Sequence, residues 1–562
     1  MFTLCTLVLF FIVANASPSR DNEQFQLNVV HINDFHARFE ETNESGGACK
    51  SDTCIGGISR FYEQVKNLRQ KNPNLVLLNA GDNFQGTLWY SIHKWNVTQY
   101  FLNKFKFDAI TLGNHEFDDG ISGVVPFIKN MNAPTVVSNI DDLLEPDFQN
   151  IYSKSTIIER NGKKIGIIGV STKTTEQISS PGKLKFLDES ESVNAEAKRL
   201  VAEENVFTII VLSHSGYEVD IEIAANAPEK VSLIVGGHSH TFLYTGEPTP
   251  GPDTPEGPYP TIVERSDGTV VRRKDGKSVL ITQASAYCKY FGNINVKYDE
   301  DGEFVDWSGV PVFMDSNISQ DDEINGDLVP WKEAVDAMGS KVLGNTLVDL
   351  NADCYTHECL LGDFVTDGYV HYWKKKAEPG SWAYASIAIM NAGGLRTTIE
   401  AGNITYNDLL TAQPFGNTAD VSEIKGEHIK ELLETAVSSE YFYGRVYASI
   451  KLIQVSGLKY SIDLSQPEGA RIQSVEVLCA ECSEPKYEKL DLEKTYRIIT
   501  PSFLTTGGDG FEMLPKVLKN TVIGPLDSDL LTEFINATSP IDTKIEGRIN
   551  IIGSKKIVLK NV

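Results

Sequence analysis

Five short apolar runs in this chain each end in a residue able to bind a metal ion. That repetition restricts the fold more than any other feature. Residues 27–30 lead into His31-Ile32-Asn33-Asp34-Phe35-His36, and 75–78 into Asn79-Ala80-Gly81-Asp82-Asn83. Residues 109–112 lead into Gly113-Asn114-His115-Glu116, 209–212 into Ser213-His214, and 233–235 into Gly236-Gly237-His238-Ser239-His240. Apolar runs of this length closed by Gly, Asp or Asn read as buried strands. In an open α/β sheet, ligands gather beyond the carboxyl ends of the strands. Asp34, His36, Asp82, Asn114, His214, His238 and His240 are therefore expected to converge on one spot.

The residue types suit two divalent ions. Carboxylate, imidazole and amide are hard-to-borderline ligands for Zn2+, Mn2+, Mg2+ or Ca2+. None is a cysteine, which argues against a structural thiolate zinc site. A carboxylate between two ions can bridge them, and such a pair clamps the attacking and leaving oxygens of a phosphoryl displacement. A lone strand-end histidine is more often a hydrogen-bonded structural residue; five such pieces in order reverse that reading. Of the ten histidines, His93, His357, His371 and His428 have no comparable context, and His31 reads as packing or support for the ligands.

The series Asn-Asp-x-His, Gly-Asp-Asn, Gly-Asn-His-Glu-x-Asp, Ser-His and Gly-His-Ser-His resembles the metallophosphatase half of the 5'-nucleotidase family. The likeness runs from about residue 25 to 552 and is closest to the secreted apyrases in the saliva of blood-feeding arthropods. It implies an α/β (α+β) chain: an N-terminal calcineurin-like metallophosphatase sandwich and a C-terminal mixed α/β 5'-nucleotidase domain, joined by a helix. It also implies a catalytic dyad of His115 and Asp118. One metal would take Asp34, His36, Asp82 and His240, and the second Asp82, Asn114, His214 and His238.

Length and charge agree with this plan. The 562 residues exceed what one hydrophobic core organises. Apolar content of 41% and charged content of 23% are ordinary for a globular protein. A net charge of −25 lacks the basic footprint of nucleic-acid binding. A phosphorylated substrate must then be held by metals and local arginines.

Residues 1–16 read as a secretory signal, with an apolar core over 4–13 and a small-x-small site at Ala14-Asn15-Ala16. The mature chain is then extracellular. Cys49/Cys54, Cys354/Cys359 and Cys479/Cys482 are close pairs that suggest loop-stapling disulfides, with metal binding as the alternative. Cys288 is left as a free thiol. Asn43, Asn96, Asn317, Asn403 and Asn536 begin glycosylation sequons. The C-terminal stretch 553–562 is short and basic, without the hydrophobic tail of a lipid-anchor signal.

The expected boundaries are 25–315 for the metallophosphatase domain, 316–340 for a linker helix and 341–552 for a nucleotide-binding domain. Asp327, Leu328, Trp331, Ala334, Val335 and Met338 recur at helical spacing despite Pro330. The resemblance implies a hinge after that helix. Beyond it, helices are expected over 361–375 and 425–438, and strands over 386–390 and 496–500.

The second half carries the expected substrate grip. Asn391-Ala392-Gly393-Gly394-Leu395-Arg396 lets backbone approach a ligand and then offers a guanidinium suited to phosphate; a tight turn with a surface arginine is the plainer reading. The resemblance makes Asn391 a substrate contact and Arg396 a phosphate ligand. It makes Phe415 and Phe503 the two faces of a purine clamp and Asp509 an acceptor for the ribose. Core packing is the plainer reading of either phenylalanine alone. One position departs: related enzymes often carry Arg immediately after the first cysteine of the 354/359 pair, where this chain has Tyr355. Arg38 is the candidate to supply part of that charge.

The activity this implies is hydrolysis of ATP and ADP to AMP, which would remove the ADP that drives platelet aggregation. A 5'-nucleotidase acting on AMP, or a non-catalytic receptor antagonist on the same fold, would carry many of the same motifs. The expected partner is a nucleotide, with no nucleic acid and no membrane anchor.

Overall fold

The computed structural model describes residues 25–263, 278–442, 445–448 and 451–552. The proposed signal at 1–16 and the basic stretch 553–562 lie outside them. The apolar runs of the first half form two sheets. One is ordered Phe304–Ser308, Tyr290–Tyr298, Phe25–Ile32, Val76–Asn79, Ala109–Ile110, with Val312–Phe313 also paired to Tyr290–Tyr298. The other is ordered Thr261–Ile262, Leu280–Thr282, Val231–Val235, Thr208–His214, Lys163–Ser171, Ser155–Arg160. Phe25–Ile32, Val76–Asn79 and Ala109–Ile110 run parallel, as do Lys163–Ser171, Thr208–His214 and Val231–Val235.

The sheets face one another through Leu27, Val29, Val76 and Leu78 on one side and Ile165, Ile167, Ile210, Leu212 and Leu233 on the other. Each of these is at most 1% exposed. A fully buried aliphatic side chain stabilises by about 1.5–3 kcal/mol, so this seam anchors the half. Helices Ile58–Lys71, Trp95–Phe105 and Gly120–Asn130 cover one outer face and Glu189–Arg199 and Tyr217–Asn226 the other. Covering both outer faces explains why the parallel strands read as continuous apolar runs rather than alternating ones. The result is the expected sandwich, with both sets of strand ends opening at one edge.

The linker helix spans Asp322–Gly339. Asp321 caps it, its Oδ1 accepting from the Ile324 N–H at 3.0 Å. Ile324, Leu328 and Val335 are buried, whereas Met338 is half exposed. No sheet crosses this helix among the described residues. The main sheet of the second half is ordered Ile453–Ser456, Ile387–Asn391, Thr495–Pro501, Ala419–Lys425, Lys519–Val522. Helices Leu360–Lys374 and Asp527–Thr538 pack on one face. On the other lie helix Gly426–Ala436 and residues of a four-stranded sheet ordered Tyr487–Lys489, Ile472–Leu478, Leu458–Asp463, Ile549–Ile552. Strand Thr495–Pro501 exceeds its expected span at both ends because antiparallel pairing with Ala419–Lys425 continues from Thr495 to Pro501.

All three expected disulfides form, Cys49–Cys54, Cys354–Cys359 and Cys479–Cys482, and Cys288 is free and buried. Among the described residues no helix is long and apolar enough to cross a membrane.

Candidate functional site

The strand-end ligands do converge. His36 Nε2 lies 3.0 Å from His240 Nε2 and 3.8 Å from Asp82 Oδ2. His240 Nε2 is 3.4 Å from Asp34 Oδ1, and His214 Nε2 is 3.0 Å from Asp82 Oδ2. Among the described residues three groups have ligand atoms within 4.8 Å of one another: Asp34, His36 and His240; His36, Asp82 and His115; and Asp82, His214 and His238. Two acceptors here are buried with no hydrogen-bond partner, His214 Nε2 and Asn114 Oδ1. Buried polar atoms of this kind are normally satisfied, and a bound cation beside either would satisfy it. The donor set therefore fits two divalent ions.

The loops aim the ligands at a cost. Asp34, His36, Asp82, His238 and His240 all adopt positive φ, from 48° to 77°. Non-glycine residues rarely hold that conformation, and clusters of it mark functional sites. Backbone carbonyls orient the imidazoles: His214 Nδ1 lies 2.6 Å from Ala80 O and His36 Nδ1 3.2 Å from Phe84 O. As donors to these carbonyls, both rings present Nε2 to the metal side. Burial holds the His36 pKa well below its ordinary value and pulls His238 down to about 3. Neutral imidazole is the ligating form.

Sequence reasoning missed several supports. Glu116 is fully buried; its Oε2 accepts from Asp82 N at 3.0 Å and Gly113 N at 2.6 Å, and its Oε1 from Asn83 N at 2.6 Å. It ties two ligand loops together, and its place in Gly-Asn-His-Glu was the available signal. Asn33 Nδ2 donates to Asp34 Oδ2 at 2.7 Å. The Tyr287 ring packs against both His36 and His240, at 5.6 and 5.4 Å between centroids. Gly113 has no room for a side chain, since a Cβ would stand 2.1 Å from Asp82 Oδ1.

His115 and Asp118 pair, Nδ1 to Oδ2, at 2.7 Å. Burial works against protonation of His115, but the charges of Asp118 and Asp82 outweigh it and its pKa is raised. Asp118 Oδ1 accepts from Ser179 Oγ at 2.7 Å. His31 packs instead, its Nε2 3.1 Å from the Tyr259 hydroxyl. His93 Nε2 donates to Trp331 O on the linker helix at 2.8 Å.

The second half closes over this edge. Arg396 Nη2 comes to 3.4 Å from His36 Nε2, and its guanidinium lies 5.7 Å over the Phe415 ring. Phe415 stacks on His115, with centroids 5.6 Å apart at 21°. Asn391 Nδ2 donates to Asp509 Oδ2 at 2.8 Å. Phe503 lies on Gly508, where a Cβ would sit 2.5 Å from the ring. The strand-end histidines and aspartates, the His115–Asp118 pair, Arg396 and Phe415 thus form one group, and Asn391, Asp509 and Phe503 a second. Away from the centre, Lys50 Nζ pairs with Asp408 at 3.0 Å and Asn43 Nδ2 donates to Glu400 Oε1 at 2.7 Å across the halves.

Arg38 is buried beside the metal loop, and its Nη2 has no hydrogen-bond partner among the described residues. It is 1% exposed, donates from Nε to Gly46 O and from Nη1 to His36 O, and sits 4.1 Å over the Tyr287 ring. Those bonds commit it to bracing the metal loop. Tyr355 lies beside the Asn391–Arg396 turn, its hydroxyl 3.8 Å from where a Gly393 Cβ would stand.

Residues 27–242 match the calcineurin-like phosphoesterase family and residues 342–516 the 5'-nucleotidase, C-terminal domain family. The chain is 44% identical over 539 residues to an apyrase of Tabanus yao, covering 95% of this chain and 96% of that one. It is 38% identical over 573 residues to an apyrase of Aedes aegypti, covering 99% and 98%. The structure of a 5'-nucleotidase precursor from Thermus thermophilus superposes with a TM-score of 0.84 at 33% identity, over 94% of this chain and 99% of that one. With both family regions matched in order and relatives aligned nearly end to end, the chain belongs to the 5'-nucleotidase family and is a metal-dependent nucleotide phosphohydrolase.

Proposed function

We propose that this protein is a secreted apyrase that hydrolyses extracellular ATP and ADP to AMP and phosphate by a two-metal mechanism, and so suppresses ADP-driven platelet aggregation. The approach of Arg396 to within 3.4 Å of His36 carries this reading, because it sets a phosphate-type cation against the metal ligands. The apyrase relatives support the nucleotide class. Three disulfides support an oxidising, extracellular setting.

In this reading Asp34, His36, Asp82 and His240 hold one ion, and Asp82, Asn114, His214 and His238 the other. When bound, the ions supply Lewis-acid charge at the phosphoryl group and lower the pKa of the attacking water. Arg396 pairs with a phosphoryl oxygen, a charge-assisted contact favoured by guanidinium geometry. His115, whose pKa the charges of Asp118 and Asp82 raise, donates to charge that develops on the phosphoryl oxygens. Phe415 and Phe503 flank the purine, and Asn391 and Asp509 hold the nucleoside. Residues 25–315 form the catalytic domain, 316–340 the linker and 341–552 the nucleotide-gripping domain.

Phosphate release from ATP, ADP and AMP, measured in parallel with Zn2+, Mn2+, Mg2+ and Ca2+, tests the assignment. Faster release from ATP and ADP than from AMP is expected. The reverse order would make the protein an AMP-directed 5'-nucleotidase, and no release from any of the three would leave only a binding role.

A further inference from the structure

Asp118 uses its two oxygens for different partners. Oδ2 meets His115 Nδ1 at 2.7 Å, and Oδ1 accepts from the Ser179 hydroxyl at 2.7 Å. A carboxylate held on both oxygens cannot rotate without breaking one bond, so Ser179 fixes which oxygen faces His115. Ser179 closes the short helix Thr175–Ile178, its N–H donating to Thr175 O at 3.0 Å. A serine that served only to end this helix would turn its hydroxyl to the helix or to solvent. This one turns it to the dyad, across 61 residues of chain.

The segment is anchored at both ends. Thr172 N donates to His214 O at 2.9 Å, at the end of a metal-loop strand. Glu176 Oε1 accepts from Phe186 N at 3.0 Å. The helix also packs against the turn Gly508–Gly510, which carries Asp509. The hydroxyl therefore stands where the nucleoside-gripping turn meets the dyad.

We infer that Ser179 is a positioning residue for the hydrolysis, holding Asp118 so that the His115 imidazole keeps its aim at the phosphoryl group. This rests on the dyad reading given above. The test is kcat and KM for ADP, with metal content, for Ser179→Ala, Ser179→Thr, Asp118→Asn and the Ser179→Ala/Asp118→Asn double variant. Ser179→Ala is expected to lower kcat about tenfold, the scale of a lost supporting hydrogen bond, with KM within about twofold and metal content unchanged. Ser179→Thr, which keeps the hydroxyl, is expected to restore kcat. In the Asp118→Asn background the alanine is expected to cost nothing further. Wild-type kcat in Ser179→Ala, a threonine as poor as the alanine, or a full further loss in the double variant would overturn the inference. Asp118→Asn separates the two readings. If it turns over like wild type, the dyad reading fails; if it is impaired while Ser179→Ala is not, only the role of Ser179 fails. Should the alanine variant not fold, Ser179→Cys, similar in size with a weaker donor, takes its place.

Discussion

Arg396 and His36 stand 360 residues apart in the chain, yet Nη2 of one lies 3.4 Å from Nε2 of the other. The contact joins the two halves of the protein at the metal ligands. In the proposed function binding and chemistry are divided between the two halves, which makes their contributions separable by mutation.

Removal of the metals is the broadest test. Chelation should abolish phosphate release and added divalent ions should restore it. Asp82→Ala should lower turnover by more than the roughly 10–100-fold typical of a supporting residue, because Asp82 lies 3.0 Å from His214 and 3.8 Å from His36 and so touches both ligand groups. Phosphate release and metal content measured on the same folded sample decide this; wild-type turnover would remove the bridging role.

His115→Ala should leave metal content intact and reduce kcat by about 100–1000-fold, the usual loss on deleting one transition-state donor. Its Nδ1 is held by Asp118 and its ring lies on Phe415, although it also comes within ligand distance of His36 and Asp82. Loss of an ion from the variant would reassign it to the metals.

The two phenylalanines should behave differently. Phe503→Ala should raise KM for ADP about fivefold or more, since base stacking is worth about 1–3 kcal/mol, and leave a phosphoester without a base unaffected. Phe415 also stacks on His115, so Phe415→Ala should in addition lower kcat on the baseless ester. Equal behaviour of the two variants on that ester would show that the stacking on His115 does no work.

Stability should depend on pH through Asp363. Burial pushes its carboxyl up to about 8, against the opposing pull of Arg548 3.6 Å away. A raised pKa means that the folded state binds the proton more tightly than the unfolded state. Its contribution is therefore complete below about pH 4 and is lost progressively as pH rises to about 8. Asp363→Asn removes that loss, and Arg548 keeps its paired contacts to Asp367 at 2.9 and 2.8 Å. Thermal midpoints of variant and wild type, compared across this range, should diverge in the variant's favour as pH rises; a constant difference would contradict the assignment.

The convergence of the site's side chains was legible in the chain because each lies within a few residues of a strand end, and short buried strands announce themselves by composition. Local pattern carries that far: Asp34, Asp82, Asn114, His214 and His238 follow parallel strands whose register delivers them to one edge. The disulfides were legible for the same reason, being closures of three to five residues. Contacts between distant segments were not. That Phe415 rests on His115, that Ser179 holds Asp118, and that Tyr287 packs on two ligand imidazoles follow from how the halves and loops pack. Arg38 shows the limit most plainly. Two residues from His36, it is placed by sequence to reach a phosphate, but the fold buries it and turns Nε to Gly46 O and Nη1 to His36 O. Proximity along a chain sets what a side chain can reach; the tertiary packing around it decides which partner it keeps.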